Sequence, residues 1–457
     1  MANALKILAG TVALLLAGGA TGLHWMPPEM LRVGANYSAK IVCSNVFLAQ
    51  RDAQQVLADD VQAPGHPALK LMRINVDREH NLVHANMLGF IGGGLAVYRP
   101  GTGCAAVPDG DVGAAAHYQF SRAPLPPPST DLPWPRGSRA EVSAAVESIL
   151  ADDALAGLGM RGIAVIHQGK LVAQRYGKGF NEATPLLGWS MTKSVTAALI
   201  GMQVKAGKLK LEQSGFWPNS GQDHARGAIK LADLMAMSSG LHFNEEYGGV
   251  SDVTRMLYLE PDMASFVRAQ PSEYAAGSSW HYSSGTTVFL SRLWQDAVGV
   301  EALAYPHDHL FTPLGMSSAT IEADARGNMV GSSYMYASTQ DWARFGQFLL
   351  QDGVWNEQRL LPEGFVAMMS RVASASHGQY GQGQVWRQGP KGKTPNGQNP
   401  DAPFHLPADT YWMLGHDGQS IAIIPSQELV VVRLGLSPHQ LFYQPQVLVA
   451  AIIKTLK

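Results

Sequence analysis

The sequence predicts a mixed α/β fold of the α+β kind. One antiparallel sheet is flanked by N- and C-terminal helices of a long second segment, beside a helical lobe. Three observations carry this. GIAVIHQGKLVAQRYG (162–177) is two apolar, β-branched runs broken at Gln168-Gly169, the pattern of a hairpin. SIAIIPSQELVVVRLG (420–435) repeats that pattern around Pro425-Ser426 and leads into a helical stretch, Gln446 to Leu456. Between them, most of 190–350 carries a helical period, including STQDWARFGQFLLQDG with Ser338 as its N-cap. A sheet built from both ends of the segment, with a helical lobe between, leaves a cleft where a ligand belongs.

The 457 residues exceed one average domain. Hydrophobic residues make up 46% and charged residues 15%, so a large core is easily built. Net charge is −2 and no run of Lys or Arg occurs, which argues against a nucleic-acid partner.

In chain order, Lys6 and the apolar run Ile7–Leu23 read as an export signal with small residues near Gly18–Ala20, or as a short membrane anchor. Residues 1–23 are assigned to it, and the protein is expected to be periplasmic or otherwise extracytoplasmic. The two cysteines, Cys43 and Cys104, then read as one disulfide; in a cytosolic chain they would be core thiols. Residues 24–123 form an N-terminal extra segment. Six prolines between Pro124 and Pro135 mark 124–137 as an extended connector. The main domain, 138–457, opens with a capping-box spacing, Ser138 and Glu141. The polar stretch Gly389–Asp409 reads as a mobile loop and a natural lid.

Ser190 and Lys193 stand at i and i+3 where an apolar helix begins. Alone this spacing fits a capping serine and a solvated lysine. The helix that follows, SVTAALIGMQ, is apolar on nearly all sides, and a lysine buried at its start must be paired or neutral. A neutral amine accepts a proton, which is what a nucleophilic serine requires. Tyr282-Ser283-Ser284 precedes another apolar helix, and His416-Asp417-Gly418 precedes the second hairpin. There is no G-x-S-x-G elbow and no H-E-x-x-H. His80 and His84, and the triplet His307-Asp308-His309, read as surface histidines, so no metal or other cofactor is expected.

In that order the three motifs resemble the signatures of serine β-lactamases and penicillin-binding proteins. The likeness is greatest to the class C-like branch, which includes esterases, D-amino-acid peptidases and 6-aminohexanoate-dimer hydrolases. LADLMAMSSGL (231–241), PLGM (313–316) and YGQGQVW (380–386) support it, and it spans about 138–457. It implies a β-lactamase/transpeptidase-like fold, with Ser190 as nucleophile and Lys193 and Tyr282 handling protons. Ser284 would position that network or the substrate. Backbone N–H groups of Ser190 and Gln419 would form the oxyanion hole. His416 would lie near Tyr282 or the acyl side of the substrate, and Gly418 would let the strand approach it. Two departures stand out: Ser284 replaces the usual Asn, and His416 replaces the Lys that holds a β-lactam carboxylate. The expectation is an exported serine hydrolase of a small amide or ester. A cell-wall D,D-peptidase or β-lactamase, and a non-catalytic binding module of the same fold, are the alternatives.

Overall fold

A computed structural model describes residues 27–217 and 224–456; the apolar leader lies outside the described residues. The first described helix, α1 (Glu29–Phe47), lies across a four-stranded antiparallel meander. Its strands are β1 (Met72–Asp77), β2 (Leu82–Met87), β3 (Ile91–Arg99) and β4 (Gly103–Ala106). Helix and sheet meet closely: a Cβ on Gly94 of β3 would stand 2.3 Å from the Ala35 carbonyl oxygen. Cys43 of α1 and Cys104 of β4 are joined as a disulfide.

This segment is tied to the rest by buried charge. Lys40 of α1 meets Glu322 across 282 residues of chain, 2.5 Å apart, with both side chains almost wholly buried. Ser44 Oγ and the Cys104 N–H also donate to that carboxylate, at 2.8 and 2.7 Å. Arg99 donates to the carbonyls of Ala323 and Asp324 at 2.6 and 2.9 Å. Asp60 is gripped by Arg51 and by Arg161, the latter from the main sheet.

The main sheet has five strands, all antiparallel. In the fold they follow helix α2 (Ala144–Leu150) as β5 (Met160–His167) and β6 (Lys170–Tyr176), and much later β7 (Tyr411–Gly415), β8 (Gln419–Ile424) and β9 (Leu429–Gly435). Their order is β7-β8-β9-β5-β6, so the two hairpins join along β9 and β5, as the sequence predicts. Gln168 and Gly169 both take positive φ, 51° and 73°, the turn a two-residue hairpin favours.

One face of this sheet is covered by α2 and the C-terminal helix (Gln446–Leu456), with Val146, Leu150, Leu448 and Ile452 in that core. The other packs on the helical lobe. There lie the helices Thr192–Lys205, Ser284–Val298 and Thr339–Leu350. Ser338 caps the last of these, accepting from the Asp341 N–H at 3.2 Å.

Three expectations change. The capping box at Ser138 does not form: Ser138 bonds back to Ser129, Glu141 pairs with Lys170, and Ser143 caps α2 instead. The proline-rich connector is docked, because Trp134 inserts into the main core and Arg344 donates to the carbonyls of Pro135 and Gly137. The 389–409 stretch is pinned from within. Asp401 accepts from the Gly389 N–H, Trp412 Nε1 and Gln446 Nε2, which holds the stretch against the C-terminal helix.

Candidate active site

Ser190 sits in a single 3-10 turn, Trp189–Met191, directly ahead of the buried helix Thr192–Lys205. Trp189 carries a positive φ of 48°, sparsely populated by non-glycine residues. The turn is braced by the sheet: the Gly188 carbonyl lies so close to Gly415 of β7 that a Cβ there would stand 2.2 Å away. Ser190 thus sits where the helical lobe meets the end of β7.

Lys193 is 1% exposed, and its ammonium finds three acceptors: Ser190 Oγ at 3.1 Å, Ser284 Oγ at 2.9 Å and the Ser332 carbonyl at 3.0 Å. Burial pulls its pKa down to about 8, against the opposing charge of Glu245. The direction of each bond is fixed by chemistry. Ser332 offers a carbonyl, which only accepts. Ser284 gives its own hydroxyl proton to Glu245 Oε1, and its N–H to Oε2 at 2.7 Å, so it must accept from Lys193. A neutral amine there spends its two hydrogens on Ser284 and Ser332. Its lone pair is left facing Ser190.

Tyr282 comes from the other side. Ser190 acts on its hydroxyl, and the Lys193 nitrogen lies 4.8 Å from its ring centroid. Burial raises the phenol's pKa, Glu245 raises it further, and Ser190 lowers it against these larger effects. Tyr282 is therefore a neutral phenol, able to donate. Its ring sits in an aromatic box with Trp386 at 5.1 Å and Tyr380 at 5.9 Å, and Trp280 closes the box against both.

The remaining predicted residues lie close by but do different things. His416 does not join Tyr282. It is half exposed, with its ring against Trp189 and Tyr247 at 5.7 and 5.3 Å and its Nε2 3.4 Å from Asp417. Gly418 has a φ of 82°, and a Cβ there would stand 3.0 Å from Ser437 and 3.1 Å from Arg433. The left-handed turn favours glycine there. Gln419 turns its side chain away, bonding both polar groups of Gly435. Among the surface histidines, His80 pairs with Asp77 and His307 with Asp308. Among the described residues no cluster of His, Cys, Asp and Glu is fit for a metal ion.

Sequence reasoning missed Glu245 and Ser332. Both reach Lys193 across 50 or more residues, from stretches without a spacing signal. Gln384 lies within the YGQGQVW stretch. It braces the site, accepting from Thr287 and donating to the Met235 carbonyl, while Ser194 bonds its backbone.

Residues 142–442 match the family model named Beta-lactamase. Among solved structures, the chain is similar to a 6-aminohexanoate-dimer-hydrolase-like protein from Bacillus anthracis. That match has 18% identity and a TM-score of 0.56, over 89% of this chain and 95% of that one. It is also similar to a beta-lactamase-like protein from Bacteroides dorei, at 19% identity and TM-score 0.52, over 68% of this chain and 97% of the other. A penicillin-binding-protein homologue from Caulobacter crescentus matches at 15% identity and TM-score 0.50, over 68% and 97%. At these identities the likeness is one of fold. No curated protein sequence matches at a significant level.

Proposed function

Starting from a chain that belongs to the Beta-lactamase family of serine hydrolases, we propose that it cleaves a small amide or ester through an acyl-enzyme on Ser190. The observation that carries this reading is the donor count at Lys193. A buried amine with two fixed acceptors besides Ser190 has nowhere to direct its lone pair except the serine hydroxyl.

In acylation, Ser190 Oγ–H passes its proton to Lys193 Nζ as Oγ bonds to the substrate carbonyl carbon. The resulting oxyanion is met by the N–H groups of Ser190 and Gln419; losing one such donor costs about 10²–10³ in rate. As the tetrahedral intermediate collapses, the bond to the leaving oxygen or nitrogen breaks. That atom takes its proton from Tyr282, and the phenol is restored from Lys193. Water then repeats the sequence in reverse, giving its proton to the same pair, and frees the acid.

His416 stands where a β-lactamase of this family carries lysine. Half exposed and already 3.4 Å from the Asp417 carboxylate, it offers a β-lactam carboxylate little, so esters and amides are the preferred class. The apolar leader in the sequence and the fully buried Cys43–Cys104 disulfide support an exported, periplasmic protein whose only membrane contact is the leader.

Intact-mass and peptide mapping after fluorophosphonate treatment tests the reading. One adduct is expected on Ser190, absent in Ser190→Ala and formed at least about 10²-fold more slowly in Lys193→Ala. A folded protein that takes no adduct returns Ser190 to the role of a helix start, and the fold to that of a binding module.

A further inference from the structure

A cavity of about 570 Å³ opens beside Trp189, within the range that encloses a small-molecule ligand. It is built by two parts of the chain. One wall is the N-terminal segment, with Leu31, Val33 and Ala68; the other is the main domain, with Trp189, Tyr247 and His416. No Lys or Arg lines it, and its one carboxylate, Asp417, already faces His416 and Arg161. Its other ionisable lining groups are the imidazoles of His66, His416 and His439 and three tyrosines, so no lysine or arginine is there to hold an anion and the one carboxylate is already engaged.

We propose that this cavity holds the acyl chain of the substrate, an uncharged apolar chain, and that the N-terminal segment thereby sets chain-length preference. The proposal rests on Ser190 being the nucleophile. Two observations assign the acyl part rather than the leaving group. The cavity is lined by Trp189, Tyr247 and His416 and so comes within one residue of Ser190, which does not itself line it; a chain on the acylated serine would reach it by passing Trp189. The leaving atom, by contrast, must meet Tyr282, and neither Tyr282 nor Trp280, Tyr380 or Trp386 around it lines the cavity. The acyl chain alone stays bound through both steps, and an apolar cavity of this size serves it.

The test uses the full-length protein and two ester series. In p-nitrophenyl esters the acyl chain grows from acetyl to decanoyl; in alkyl acetates only the alcohol grows. The first should show kcat/KM rising about fourfold per added methylene until the cavity is full, and the second should stay nearly flat. An acyl chain ending in a carboxylate or ammonium should lose about tenfold or more against its methyl-ended counterpart. Ala68→Phe narrows the cavity from the N-terminal wall, and Gly249→Leu does so from the facing wall, where a Cβ meets nothing within 4 Å. Both variants should keep acetyl-ester turnover while losing the preference for long chains. Flat acyl dependence, a dependence that follows the alcohol instead, or variants that keep the wild-type preference overturn the proposal. If the unaltered protein neither turns over acetyl ester nor takes the fluorophosphonate label, the serine reading itself fails, and this proposal with it.

Discussion

The Ser284 hydroxyl accepts from Lys193 Nζ at 2.9 Å and donates onward to Glu245. That one-way bond decides what Lys193 can do. A hydroxyl free to turn would compete with Ser190 for the amine's lone pair, whereas one committed to a carboxylate cannot. The second motif's Ser284 therefore fixes the direction of proton flow and need not touch substrate.

The lysine's lowered pKa, about 8, sets the acid limb of activity. Only the neutral amine accepts the serine proton. Below pH 8 Lys193 is increasingly protonated, and kcat/KM should fall about tenfold per pH unit well below that value. A rate profile from pH 5 to 10 on a short-chain ester checks this. A plateau extending down to pH 6 would remove Lys193 as the base.

Glu245 acts on that limb from a distance. Its negative charge raises the pKa of Lys193 against the pull of burial. In Glu245→Gln the limb should therefore move to lower pH, while turnover on the plateau falls about tenfold as charged bonds to Ser284 are weakened. An unchanged limb with reduced turnover would mean that Glu245 only shapes the loop around Asn244–Val250.

The fold was legible in the sequence where local chemistry and global packing agree. Gln168-Gly169 supports only a tight turn, and two β-branched hairpins with nothing else to cover them must share a sheet. Ser190 and Lys193 were legible because a helix places i and i+3 together. Glu245 and Ser332 were not, since their contacts with the Lys193 site are made by loops whose course depends on the whole lobe. Ser138 was misread for the opposite reason. Its spacing to Glu141 is right for a cap, but Ser129 and Lys170, brought near by tertiary structure, claim both groups. The docking of the N-terminal segment was also invisible, because Lys40 and Glu322 look like surface residues until the chain brings them together.

That buried pair gives a stability prediction. Lys40→Met or Glu322→Leu alone leaves one charge buried without its partner, and each should cost about 3–5 kcal/mol. The double substitution should recover part of the loss, since an apolar pair of similar volume is often neutral there, while Ser44 and the Cys104 N–H still lose their acceptor. Urea unfolding of the three variants measures this. Losses that simply add would show that the two groups are not coupled.

Asp60 predicts how the same interface responds to acid. Burial would raise its carboxyl, but hydrogen bonds from Arg51 and Arg161 overcome that and hold its pKa below the ordinary value. A carboxylate with a depressed folded-state pKa contributes stability that is complete above its unfolded value, near 4, and is lost as pH falls through the folded one. Asp60→Asn should therefore be less stable than the unaltered protein at pH 7, by about 3 kcal/mol for a buried partner of two arginines. The gap should hold down to about pH 4.5 and then narrow. Chemical unfolding at pH 7, 5 and 3.5 separates this from a packing defect, which would give the same gap at every pH. Because Asp60 belongs to the N-terminal segment and Arg161 to β5, the narrowing should come with detachment of that segment. Limited proteolysis around Arg51 and Asp60 should then speed up over the same pH window in the unaltered protein, and be faster already at pH 7 in Asp60→Asn.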